Sequence, residues 1–123
     1  MNQLAQIGYA TALAKVETQR ETEARILTRL NAGLEHAMAH PDRNIPATVE
    51  ALHENDRFWA HIAGDLAHEK NALPEALKAA LISLAGFVVA HSARVRNRQA
   101  GIAPLIEINN AIIRALNATG VQE

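Results

Sequence analysis

Residues 74–95 read PEALKAALISLAGFVVAHSARV. Leu77, Leu81, Leu84, Val88, His91 and Val95 recur at spacings of three and four, the period of one helix face. Ile82, Phe87 and Val89 add apolar groups on its other faces, and a helix apolar nearly all round belongs in the centre of a domain. Pro74 suits the start of such a helix, where a missing N–H costs nothing. Gly86, inside the pattern, suggests a close approach by another helix.

The same period extends in both directions. Downstream, Gln99 to Ala103 is a short connection containing Gly101, and Pro104 opens a last helix with the stripe Leu105, Asn109, Ile112, Leu116. Ile106, Ile108 and Ile113 flank that stripe, and Gly120 is placed as its C-cap. Upstream, Pro46 begins a helix carrying Leu52, Asn55, Trp59, Ile62 and Leu66, and His68 to Leu73 turns the chain toward Pro74. His40-Pro41-Asp42-Arg43-Asn44 reads as a loop. Before it run the stripes Leu27, Leu30, Leu34, Met38 and Leu4, Ile7, Thr11, Ala14, with Leu13 and Val16 beside the latter. Glu17 to Glu23 is almost wholly polar, and Thr18 with Glu21 has the spacing of a capping box. There the chain either breaks and restarts or runs through as one long helix.

No alternation of period two is long enough for a strand. The expected architecture is therefore all-α: a single-domain bundle over residues 1–123, with four to five helices and short antiparallel connections. Residues 1–17 are expected to form a mobile N-terminal helix, with few large apolar contacts to hold it. A chain of 123 residues buries roughly two-thirds of its unfolded surface and folds without staples.

Composition excludes several functions. There is no cysteine, hence no disulfide, thiolate metal site or cysteine nucleophile. Twelve basic against thirteen acidic residues give a net charge of −1, without the basic excess of a nucleic-acid binder. The N-terminus has neither the basic nor the apolar region of a signal peptide. The longest uncharged apolar run, Ala79 to Ala90, is shorter than the about 20 residues a bilayer demands. A cytoplasmic protein with no membrane partner is expected.

Candidate chemistry is sparse. His36 and His40 share a helix face, and Glu50-Ala-Leu-His53 is a Glu-x-x-His, but a helical di-metal site needs a second such motif and two more glutamates. No metal or cofactor is expected. His91 reads as a buried histidine satisfied by one hydrogen bond. Asn55 and Asn109 interrupt apolar stripes and read as devices that set helix register, with Asn109→Leu expected to keep or raise stability while loosening specificity. Arg94, Arg96 and Arg98 fit the C-terminal end of a helix dipole, with Arg94 and Arg98 on one face. No nucleophile motif, phosphate loop or carboxylate pair is present, so binding is expected in place of catalysis.

Two blocks of residues resemble the FlaF family of flagellar regulators. One is Asn71-Ala72-Leu73-Pro74 with Leu77 and Leu81-Ile82-Ser83-Leu84; the other is Pro104-Leu105-Ile106-Glu107-Ile108-Asn109 with Ile112 and Leu116. Asn55, Trp59, Val88 and His91-Ser92 fit between and before them, and Tyr9-Ala10 with Ala12 and Ala14 is similar to the family's Tyr/Ala-rich start. The family's Asn/Pro-like break after its first short helix is replaced here by Glu17-Thr18-Gln19-Arg20. The resemblance implies a non-enzymatic protein that binds flagellin, promotes its synthesis and export, and works against or alongside the translational repressor FlbT; the alternative it implies is post-transcriptional control of flagellin messenger RNA with FlbT. Flagellin's termini are amphipathic helices, so an apolar groove on a helical bundle would suit them. Phe87, Ile106 and Ile113, on the flanks of the last two helices, are the expected groove residues, with Arg94 and Arg98 as the charged alternative. Trp59, Leu81, Leu84, Val88, Leu105, Asn109 and Ile112 are the expected core.

Trp59 is the only tryptophan and lies on an apolar stripe. Trp59→Ala should cost about 3–5 kcal/mol in denaturant unfolding, and the native emission should be that of a buried indole. Solvent-like emission would remove Trp59 from the core.

Overall fold

The computed structural model describes residues 3–41 and 45–119, excepting the side chains of residues 9, 12, 13, 15–18 and 119. Helix α1 spans Gln3–Ala39, α2 Ile45–Ala67, α3 Glu75–Arg96 and α4 Ala103–Thr119. At 1.5 Å per residue they are about 55, 35, 33 and 26 Å long. Helix α1 passes through Glu17 to Glu23 without a break, so the second of the two alternatives at Thr18 holds. The side chain of Thr18, the residues 42–44 and the C-cap expected at Gly120 lie outside the described residues.

The helices run alternately up and down. Asn31 of α1 bonds Ile106 and Asn110 of α4, while Leu27 lies near Ile112 and Leu116, so these two helices are antiparallel. Gly33 faces Ala51, with Ala51 Cβ 3.7 Å from where a glycine Cβ would stand, at the junction of α1 and α2. Arg96 at the end of α3 meets Asp56 in the middle of α2 at 3.0 Å. Packing is most extensive between α1 and α4 and between α2 and α3, and among the neighbouring pairs it is least between α3 and α4.

The core contains Leu34, Leu52, Trp59, Ala85, Val88, Leu105 and Ile106. Trp59, Val88, Leu105 and Asn109 are fully buried as their stripes indicate. Leu84 and Ile112 pack on this core half-buried, and Leu81 is also half-buried. Leu27, Leu30 and Leu34 are buried, but Ala37 takes the next inward position and Met38 is exposed.

A chain of amides crosses the core. Asn109 donates both Nδ2 hydrogens, to Asn31 Oδ1 at 2.9 Å and Asn55 Oδ1 at 2.8 Å. Its Oδ1 accepts from Trp59 Nε1 at 2.9 Å. Asn31 Nδ2 donates in turn to Asn110 Oδ1 and the Ile106 carbonyl. His91 is buried, with one hydrogen bond of 2.8 Å from Nε2 to the Gly101 carbonyl.

Helix α3 is not central. Lys78, Ala85, Val88, His91 and Ser92 are buried, whereas Leu77, Ile82, Phe87 and Val89 are exposed. The reason is pairing: α4 is engaged by α1, so α3 has only α2 along most of its length. Gly86 therefore has no close helix neighbour, and an added Cβ would meet nothing within 4 Å. Lys78 interrupts the apolar run only at its margin. An 18-residue window of α3 still averages a mean hydropathy of 1.6, long and apolar enough by length and composition to cross a membrane, a property that core helices share.

Helix α3 ends in a Schellman motif. Gln99 N–H donates to the Arg94 carbonyl at 2.8 Å and Arg98 N–H to that of Val95 at 3.0 Å. Arg98 adopts φ 61°, the left-handed conformation normally given to glycine. It lies beyond the helix and so does not share a helical face with Arg94.

The amide hub changes what the Asn109→Leu substitution should do. Leucine would orphan the Trp59 N–H and the carbonyl oxygens of Asn31 and Asn55 together, each loss costing about 1–3 kcal/mol. We expect a marked loss of unfolding free energy, about 3 kcal/mol or more. A Tm equal to or above that of the native chain would show that the hub is replaceable by packing.

Candidate functional site

The weak contact between α3 and α4 leaves an open apolar groove of about 500 Å³ at the end of the bundle remote from their connection. Leu27, Trp59, Ile62 and Leu66 line its α1 and α2 sides. Ile112 and Leu116 come from α4, Leu81 from α3, and Leu73 from the α2–α3 turn. Gln19, Arg20, Glu23 and Asp65 bring polarity to the lining.

The turn that carries Leu73 is tied down by its own polar groups. Asn71 Oδ1 accepts from Leu73 N–H at 3.0 Å, while Asn71 Nδ2 donates to the Asp65 carbonyl at 3.3 Å. Lys78 reaches back to the Asn71 carbonyl at 3.2 Å and to Glu75 at 3.0 Å. The buried lysine stem thus anchors the segment that opens the first resemblance block. Nothing in its sequence position singles out Lys78, which looks there like a solvated charge.

Glu23 sits at the acidic side of the groove. Burial raises its carboxyl above the ordinary range, and the charge of Asp65 raises it further. His61 and a hydrogen bond with Gln19 oppose this shift. His61 is itself 3.5 Å from Asp65.

The sequence-derived partner residues do not converge on this groove. Phe87 is 47% exposed on α3 and stacks on His91 at a centroid distance of 5.4 Å. Ile113 is half-buried on α4. Ile106 is a correction: it is only 8% exposed, because its side of α4 packs into the core. Arg94 is exposed, with Nη2 3.4 Å from the Gln99 carbonyl, and Arg98 is exposed outside α3. Sequence reasoning does not find Ile62, Leu66, Leu73 and Leu116 as groove residues. Ile62, Leu66 and Leu116 lie on apolar stripes, and a stripe does not reveal that part of it remains uncovered.

The histidines lie mostly apart from one another. The His36 and His40 rings lie 4.5 Å apart on exposed turns of α1, and His40 Nδ1 bonds the His36 carbonyl. Glu50 and His53 are both exposed. Among the described residues no three His, Cys, Asp or Glu groups gather as a metal site requires.

An up-and-down bundle with an apolar groove between its last two helices defines a class of small all-α protein. The chain belongs to the FlaF family: the family model described as flagellar protein FlaF matches residues 5–116. It is thus a flagellar protein. Comparison with curated proteins and with solved structures gives no match.

Glu23 makes the groove visible in pH-dependent stability. Its folded pKa is raised, so its contribution favours folding below its unfolded pKa and is lost as pH rises through the folded value. Glu23→Gln should raise Tm at pH 7, and the difference should close as pH falls below the usual carboxylate range. A difference independent of pH would assign the effect to something other than this ionisation.

Proposed function

We propose that the protein is a non-enzymatic flagellin-binding regulator and secretion chaperone, acting in the cytoplasm to promote flagellin synthesis and export. The observation that carries this reading is the apolar groove walled by Leu81, Ile112 and Leu116, in a chain of a flagellar family. An amphipathic helix satisfies its own backbone and presents an apolar stripe, so it needs from its partner mainly an apolar trough. Holding a terminal helix of flagellin in that trough would keep it from polymerising before export. The near-neutral charge balance suits an apolar contact better than a phosphate backbone.

Calorimetric titration with flagellin, and with its isolated terminal peptides, tests this directly. Binding should show a negative heat-capacity change and little dependence on salt. Leu116→Asp, at the groove, should weaken binding by about tenfold or more, equivalent to about 1.4 kcal/mol, while Phe87→Asp on α3 should leave it unchanged. No heat and no co-elution, with whole flagellin or with either terminal peptide, would refute flagellin binding. Equal losses in both variants would move the contact away from the groove.

A further inference from the structure

We propose that the outer face of α3 pairs with the same face of a second copy of this chain, antiparallel, about a two-fold axis near residue 84. The side of α3 turned away from the bundle exposes Leu77, Ile82, Phe87 and Val89. Between Glu75 and Arg94 this face carries no charge, since Lys78 and His91 are buried. Only 22% of the α3 window with mean hydropathy 1.6 is buried, whereas a core helix of that apolarity would be mostly buried. A continuous exposed apolar face marks a surface that another body covers. It lies outside the groove, which Leu81 alone of the α3 residues lines.

At 3.6 residues per turn, positions seven apart fall almost on one line along a helix. Ala79, Gly86 and Ala93 share one such exposed line, and Ile82 and Val89 share the neighbouring one. The face thus alternates recesses with projections at spacings of three and four, the period that keeps two helices in contact along their length. Antiparallel pairing about residue 84 sets residues equally distant from it, on opposite sides, against each other. Ile82 then meets Gly86 of the second copy, and Val89 meets Ala79, so each projection enters a recess. An added Cβ at Gly86 would meet nothing within 4 Å in the single chain, so that recess stands open.

The same register pairs opposite charges. Glu75 is 91% exposed and touches Lys78 through one carboxylate oxygen at 3.0 Å. It stands opposite Ala93 of the second copy, which Arg94 and Arg96 flank on the two sides of the helix. The reciprocal contact forms at the other end, as a closed two-fold interface requires. A parallel pair would instead set Glu75 beside Glu75 and arginine beside arginine, with the helix dipoles aligned. A foreign helix would need both the reverse charge order and matching recesses, whereas a second copy supplies both from the sequence of α3 itself. The seam offers fewer than the about 20–30 residues a side of a standard interface, so association should depend on concentration.

The absence of cysteine allows a direct test. Ala76, Ser83 and Ala90 are exposed on this face. Under mild oxidation Ser83→Cys should cross-link to itself, because Ser83 lies beside the axis. Ala76→Cys and Ala90→Cys should each cross-link little alone and readily when mixed. Sedimentation of the unmodified chain from about 10 to about 500 μM should move from 13.3 kDa towards twice that mass. Gly86→Glu should hold the chain at the monomer mass without loss of helix or Tm, since the site is open and glycine is the poorer helix former. A native chain that stays monomeric across that range overturns the proposal. So does self-cross-linking of Ala76→Cys and Ala90→Cys as efficient as that of their mixture, which would make the pair parallel. A monomeric chain that floats with anionic phosphatidylglycerol vesicles, and no longer does so as Gly86→Glu, would assign the face to a membrane and likewise overturn self-pairing.

Discussion

Asn109 sets the depth at which three helices meet. Its amide has two hydrogens and one oxygen to satisfy away from water, and these engage Asn31 of α1, Asn55 of α2 and Trp59 of α2. Apolar stripes tolerate a slip of one turn because leucine contacts are not directional. An amide hub does not, since a slip leaves several buried polar atoms unpaired at once. The hub thereby fixes α4 against both α1 and α2 and puts Trp59 beneath the groove. Helix α3 takes no part in it.

The exclusion of α3 has consequences across the molecule. Helix α3 is held by Val88 and Ala85 in the core, by Arg96 against Asp56, and by the Lys78 clamp on the preceding turn. Between the clamp and the Schellman end it rests on α2, with few contacts to α4. The space thus left exposes the side of Ile112 and Leu116 that a tightly closed bundle would cover. Meanwhile the length of α1 carries exposed apolar residues past the end of the bundle. The molecule therefore has an apolar hollow and an apolar protrusion at one end, where a fully closed bundle would have neither.

Much of the fold is legible from local pattern. Pro46 and Pro74 mark helix starts, the Leu27–Leu34 and Leu52–Leu66 stripes give the buried faces, and the polar interruptions at Asn55 and Asn109 mark the specificity device. Asn31, the third member of that device, is hidden beside Leu30, because a polar residue next to a stripe looks like its solvent edge. The continuity of α1 through Glu17 to Glu23 is equally illegible, since polar residues with good helix propensity neither require nor forbid a break. Helix α3 reads as central because its all-round apolarity resembles that of a core helix, yet it lies at the side.

The sequence by itself determined an all-helical chain, where its loops fall, which face of most helices is apolar, and its membership of a flagellar family through two spaced blocks. These properties depend on residues three or four apart, or on their order along the chain. Only the tertiary structure decided that Ile106 is buried while Phe87 is exposed, that Leu116 borders a groove, and that Arg98 lies beyond its helix. All the stripes are similarly apolar, so none states which neighbour will cover it. That choice follows from which helices pair, and here the pairing is settled by a few directional hydrogen bonds between residues more than fifty positions apart.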